Sequence, residues 1–91
     1  MDVNGFRQFL QKRQLAESAV AQHIALAERF ERFVPTPPTA ADARAFISAL
    51  AAENAATFDN LVALASYGRF VKSDAVYLTV LERVALMSAF R

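Results

Sequence analysis

The chain has 91 residues and a formal net charge of +1, from ten Lys and Arg against nine Asp and Glu. That length predicts one small domain, and the charge falls short of the strongly basic balance typical of nucleic-acid modules. With no cysteine and a single histidine, the sequence excludes disulfide scaffolds, Cys-ligated zinc sites and thiol nucleophiles. We therefore expect no cofactor and no catalysis within this chain, and any anionic partner must meet a local basic patch.

Composition favours helices, because the chain has nineteen alanines but only two glycines and three prolines. The sequence predicts a single all-α domain over residues 1–91, folded as an orthogonal or irregular bundle of four to five helices. We expect it to form the N-terminal part of a longer protein. No apolar run approaches the roughly 18 residues of a membrane span, and the start lacks a basic segment followed by an apolar one. A cytoplasmic domain with no membrane partner is therefore expected.

The first two helices are predicted over about residues 4–14 and 17–34. Asn4 is a good N-cap for the first, and Pro35 opens a proline-rich loop that ends the second. Apolar residues recur at helical spacing along both segments. These are Phe6, Phe9, Leu10, Val20, Ile24, Ala27, Phe30 and Val34.

The third and fourth helices are predicted after the proline loop. Thr39 and Asp42 have the spacing of a capping box that opens the third helix, which runs to about Glu53. Asn54 can end that helix, and Thr57 can cap the fourth. We expect the central apolar residues of helices two to four to be buried together. They are Phe30, Phe46, Leu50, Leu61 and Leu64.

The fifth helix is predicted to follow a Ser73 cap and to run to the end of the chain. Its inward stripe would comprise Val76, Tyr77, Val80, Leu81, Val84 and Met87, and its narrow polar strip Thr79, Glu82 and Arg83. Leu78, Leu86 and Phe90 lie off that stripe, so the helix is apolar most of the way round. Such a helix predicts a partner interface, either with a second copy or with a missing domain of the parent protein. The alternative is a bend near Ala85 that returns Leu86 and Phe90 to the core.

Gly68 and His23 are predicted to be structural residues. An interior helical glycine predicts a close approach of a neighbouring helix. His23 has no Asp, Glu, His or Cys three or four residues away, which favours a packed or surface-edge histidine over a metal ligand.

The order of the apolar residues over about 6–72 resembles a known family. The matching runs are Phe6-x-x-Phe9-Leu10, Leu15-x-x-x-x-Val20, Leu26-x-x-x-Phe30-x-x-Phe33, Asp42-x-x-x-Phe46-x-x-x-Leu50 and Leu61-x-Ala63-Leu64-x-x-Tyr67-x-x-Phe70. This pattern is similar to the N-terminal core-binding (SAM-like) domain of tyrosine recombinases, the phage-integrase family. The resemblance implies a module that clamps one face of duplex DNA, while a separate C-terminal domain cuts and rejoins the strands.

The resemblance further implies phosphate contacts from basic residues on the helices. The candidates are Lys12 and Arg13 at the end of the first helix, and Arg69 and Lys72, three residues apart on the fourth. Contacts of this kind fix the register of a protein on DNA without reading bases. The other interpretation is that these are ordinary solubilising charges.

Two functions of different class follow from these observations. The first is a non-catalytic DNA-binding module of the recombinase type, which contacts the phosphate backbone. The second is a helical protein-interaction or oligomerisation domain of a larger multidomain protein, which the balanced charge and the apolar last helix favour.

Overall fold

Five α-helices and no β-strand make up residues 1–89, the part of the chain that the computed structural model describes. The helices are α1 (Val3–Lys12), α2 (Glu17–Phe33), α3 (Ala40–Ala52), α4 (Phe58–Phe70) and α5 (Asp74–Ala89). The predicted small all-α bundle is confirmed. Phe90, one of the three predicted interface residues, lies outside the described residues.

The predicted caps of α3 and α4 are confirmed. The Thr39 hydroxyl accepts from the Asp42 amide at 3.1 Å, and the Asp42 carboxylate accepts from the Thr39 amide at 2.8 Å. This reciprocal pair is a capping box and satisfies two amides that the helix itself leaves without partners. At the start of α4 the Thr57 hydroxyl accepts from the Asn60 amide at 3.2 Å.

The predicted cap of α1 is wrong. The helix begins before Asn4, and the Asp2 side chain caps it by accepting from the Gly5 amide at 2.9 Å. Both side chains can cap, but a carboxylate also complements the partial positive charge of a helix N-terminus. The helix therefore includes Asn4 instead of starting after it.

Helix α4 lies at the centre of the bundle, where it packs against α5, α2 and α1, while α3 packs against α5. The Phe30 ring meets the Phe46 and Tyr67 rings edge to face, with centroids 5.0 and 5.8 Å apart. All five residues predicted to be buried together have no exposed surface: Phe30, Phe46, Leu50, Leu61 and Leu64. The core is therefore built from the residues that helical spacing predicts.

Gly68 lies at a close approach of α4 and α5, as its position in the helix predicts. A Cβ atom placed on it would lie 3.0 Å from the Tyr77 backbone nitrogen and 3.2 Å from a methyl carbon of Val76. Any side chain there would have to push α5 away. Glycine thus sets the distance between the two helices that border the site described below.

The predicted face of α5 is partly wrong. Thr79, assigned to the polar strip, is buried, and its hydroxyl donates to the Ala75 carbonyl at 2.7 Å. This local bond lets a threonine enter the interface with α3 without an unpaired hydroxyl. Leu81, assigned to the inward stripe, is 42% exposed because the buried side of α5 is rotated towards α3.

The two apolar residues of α5 predicted to lie outside the core do so. Leu78 is 59% exposed and Leu86 is 54% exposed. The helix continues through Ala85, and Leu86 does not return to the core, so the alternative in which it does is wrong. None of the five helices has the length and hydrophobicity that crossing a membrane requires.

Candidate nucleic-acid interface

Three of the four predicted phosphate-contacting residues border one stretch of surface beside α4. Arg13 and Arg69 border a groove between α4 and α5, and Arg69 and Lys72 border a second hollow at the end of α4. The two hollows are adjacent, because Arg69 and Tyr77 line both. We call Arg13, Arg69 and Lys72 the cationic face. Lys12 is exposed at the end of α1 and borders neither hollow.

Arg13 follows the last residue of α1 and is held by an aromatic ring. Its guanidinium carbon lies 5.1 Å from the centre of the Phe9 ring, and Nη1 donates to the Ser66 hydroxyl on α4 over 3.4 Å. The hydrogen bond is long and therefore weak, whereas the cation–π contact holds the guanidinium over the ring. Most of the five N–H donors of Arg13 remain free for another acceptor.

Arg69 is held in a similar way across the α4–α5 turn. Its guanidinium carbon lies 5.2 Å from the centre of the Tyr77 ring, and Nη1 donates to the Tyr77 hydroxyl over 3.4 Å. The ring and the hydroxyl both belong to Tyr77 on α5. The guanidinium is therefore positioned without being neutralised.

Lys72 is not on the fourth helix, contrary to the prediction. Helix α4 ends at Phe70, and Lys72 lies in the turn with a left-handed φ of 58°. The Ser73 amide donates to the Gly68 carbonyl at 2.8 Å, which closes a helix-ending turn whose left-handed position is usually glycine. A lysine here places a cation beside Arg69. Asp74, which sequence reasoning did not include in the site, borders the same hollow.

The cationic face makes no ion pair with the carboxylates of residues 1–89. The ion pairs in that part of the chain join Arg29 to Glu53 at 2.7 Å, Arg7 to Glu17 at 3.7 Å, and the Met1 amino group to Glu31 at 3.6 Å. All three lie away from the two hollows. The positive charge of the cationic face is thus not cancelled by a direct partner.

Sequence reasoning missed the contribution of Tyr77 to this surface. Tyr77 was assigned to the inward stripe of the fifth helix, yet it is half-buried and lies under the Arg69 guanidinium. Spacing within one helix cannot reveal a contact made across a turn. The three-residue gap between the helices was the available signal, since so short a turn brings the end of α4 beside the start of α5.

His23 is a packed histidine, as predicted. It is 7% exposed, and neither ring nitrogen has a hydrogen-bond partner. Burial lowers the pKa of His23, the nearby Ala19 carbonyl opposes that shift, and the charge of Arg13 lowers the pKa further, whereas Asp59 raises it. The imidazole is therefore favoured in its neutral form.

Tyr67 holds α4 to α2 and is not part of the site. Its hydroxyl donates to the Glu31 carboxylate. Burial, this hydrogen bond and the charge of Glu31 all raise the pKa of Tyr67. The group stays protonated and acts as a structural donor.

Within the described part of the chain, no group of three or more His, Asp or Glu side chains is placed to hold a metal ion.

A scan against protein-family models, a search of curated proteins and a search of solved structures give no match to this chain.

Proposed function

We propose that this domain binds the phosphate backbone of duplex DNA through Arg13, Arg69 and Lys72. The observation that carries the proposal is their convergence: three cations from two helix ends and one turn border two adjacent hollows, and none is paired with a carboxylate in the described chain. In this role the domain is a non-catalytic module that grips DNA for a larger protein, as the resemblance to recombinase core-binding domains implies. Because duplex DNA is an intracellular ligand, the role also implies a cytoplasmic location.

The chemistry of the face suits phosphate better than bases. A guanidinium fixed over a ring can offer two parallel N–H groups to one phosphate, and Lys72 adds a point charge beside it. Ser66 and Tyr77 supply hydroxyl groups of the kind that also contact phosphate oxygens. With three cations on the face and a net charge of +1, we expect weak binding with little sequence preference.

Charge reversal tests the proposal. Arg69→Glu replaces the central cation with a repelling group, so the affinity for a short labelled duplex at low salt should fall by at least about tenfold. Arg44→Glu is the matched control, because Arg44 is exposed and borders a different hollow between α3 and α5. Fluorescence anisotropy measures both. No DNA binding by the native protein at low salt, or equal losses in the two variants, would contradict the proposal.

A second candidate function is self-association through α5. The favouring observation is the exposure of Leu78 and Leu86, two turns apart on a helix whose outer side carries few charges. In a symmetric dimer this apolar surface would meet the same surface of a second copy. Sedimentation at high micromolar concentration should then show a dimer that the double change Leu78→Glu and Leu86→Glu converts to a monomer. A native protein that is already monomeric there removes this candidate.

A further inference from the structure

The groove between α4 and α5 has an apolar lining that a phosphate backbone does not need. Its α4 wall consists of Phe58, Val62 and Ala65, and its α5 wall consists of Leu81 and Val84. The residues of the α4 wall are four and three positions apart and those of the α5 wall are three apart, so each wall is one face of a helix. We call this surface the α4–α5 groove.

The exposure of its side chains indicates that the groove is open. Phe58 is 51% exposed and Leu81 is 42% exposed, although both are large apolar residues that burial would stabilise. The groove has a volume of about 290 Å³. That is just below the range of about 300–1,000 Å³ typical of small-molecule pockets. It suits a few inserted side chains better than an enclosed ligand.

Two apolar helix faces that border one groove favour a helical occupant. Amphipathic helices bind by placing residues spaced i, i+3, i+4 and i+7 into a groove between two helices. The walls of the α4–α5 groove offer that geometry, and Leu61 and Val80 form a buried apolar floor. A flat polar ligand would leave this floor and both walls without partners.

The charged residues that border the α4–α5 groove indicate which side chains a bound helix should carry. Arg13 and Arg69 stand beside the apolar walls, and no carboxylate lines the α4–α5 groove. By contrast, the hollow between α3 and α5 is lined by Glu82 as well as by Arg44 and Arg83, so a carboxylate offsets part of its positive charge. Charge complementarity therefore favours acidic side chains on the occupant.

We propose that the α4–α5 groove binds an amphipathic helix of a partner protein, with apolar anchors between Phe58 and Leu81 and acidic residues facing Arg13 and Arg69. Such a helix and DNA would use the same two arginines, so each excludes the other. This exclusion rests on the proposed DNA-binding function, whereas binding of the helix does not.

A designed peptide provides the test. The probe is a fluorescein-labelled helical peptide with leucines at i, i+3, i+4 and i+7 and glutamates on its other faces, and its control carries lysines in place of the glutamates. The native domain should bind the glutamate peptide at least about tenfold more tightly than the lysine peptide. Leu81→Glu should weaken binding by at least about tenfold, because Leu81 forms the α5 wall. Leu86→Glu, on the same helix but outside the α4–α5 groove, should leave it unchanged.

Each outcome bears on one proposal. No binding of the glutamate peptide, equal binding of the two peptides, or equal losses from Leu81→Glu and Leu86→Glu would overturn the groove proposal. A native dimer that Leu81→Glu alone dissociates would overturn it as well, because a second copy would then be the occupant. Unlabelled duplex DNA should displace the glutamate peptide. Peptide binding without any DNA binding in the direct assay would refute the DNA function and leave the groove proposal standing.

Discussion

Arg29 and Arg69 lie over aromatic rings in the same manner, but only one of them has a carboxylate partner. The Arg29 guanidinium carbon is 5.9 Å from the centre of the Phe46 ring, and that of Arg69 is 5.2 Å from the centre of the Tyr77 ring. Nη2 of Arg29 donates to both oxygens of Glu53 at 2.7 Å. The contact of Arg69 is a hydroxyl at 3.4 Å.

This difference separates a structural cation from one that can bind a ligand. Arg29 joins α2 to the end of α3, and its charge is cancelled within the fold. Arg69 is positioned equally well by its ring, but its charge is left for an acceptor from outside. Aromatic stacking therefore positions a guanidinium, whereas the presence or absence of a carboxylate partner determines whether its charge is available to a ligand.

The largest expected effect on stability comes from removing the aromatic rings that contact Arg29 and Arg69. Phe46 is fully buried, whereas Tyr77 is half-buried at the border of the groove. Phe46→Ala should lower the free energy of unfolding by about 3 to 5 kcal/mol, close to the whole stability of so small a domain. Tyr77→Ala should lower it much less and should instead release Arg69. Urea denaturation measures both, and a Phe46→Ala protein as stable as the native one would show that the core is misplaced.

A smaller loss is expected from Gly68→Ala. In an exposed helix this change would raise stability by up to about 1 kcal/mol. Here the added methyl group would meet the Tyr77 backbone nitrogen at 3.0 Å, so it should lower stability by about 1 to 3 kcal/mol and displace α5. Gly68→Val should lose more. A Gly68→Ala protein that gains stability would mean that α4 and α5 are further apart.

Lys72→Gly should act in opposite directions on the fold and on DNA binding. Glycine adopts a left-handed φ of 58° without steric strain, so the change should raise stability by up to about 1 kcal/mol. It also removes one cation of the site and should weaken DNA binding. Asn54→Gly is the control, because Asn54 has the same φ of 58° but suits it better and is not in the site. If Lys72→Gly changed neither the free energy of unfolding nor the affinity for DNA, Lys72 would be an ordinary surface residue.

The smallest expected effect is on the titration of His23. Its pKa should lie below the ordinary value of 6.5, and Arg13→Gln should raise it, whereas Asp59→Asn should lower it. As the pH falls below 6.5, the unfolded chain binds a proton that the folded chain does not, so stability is complete above that pH and declines beneath it. NMR titration of the imidazole measures the shift. An unchanged pKa in Arg13→Gln would place Arg13 too far away for its charge to act.

Helical spacing and caps were sufficient to predict most of the fold. The five buried core residues, the capping box at Thr39 and the close approach at Gly68 all depend on residues near one another in sequence. The sequence alone could not show which residue caps α1, because Asp2 and Asn4 are both good N-caps. The faces of α5 were misassigned at Thr79 and Leu81 because they depend on where α3 packs, which is a long-range contact.

The candidate site was only partly predictable for the same reason. Charge and helix position singled out Arg13, Arg69 and Lys72, and the structure brings these three together. Lys12 is adjacent in sequence but borders neither hollow. The pairing of Arg29 with Glu53 joins residues 24 apart in sequence, and no local pattern reveals it.

The most direct test of the cationic face is the salt dependence of its affinity for duplex DNA. Three phosphate contacts predict a slope of about −2.7 in a plot of log affinity against log salt, or roughly a 40-fold loss from about 50 to about 200 mM. Arg69→Gln should make the slope shallower by about one. An affinity that does not change with salt, or a slope that is the same in Arg69→Gln, would contradict the proposal that these cations bind phosphate.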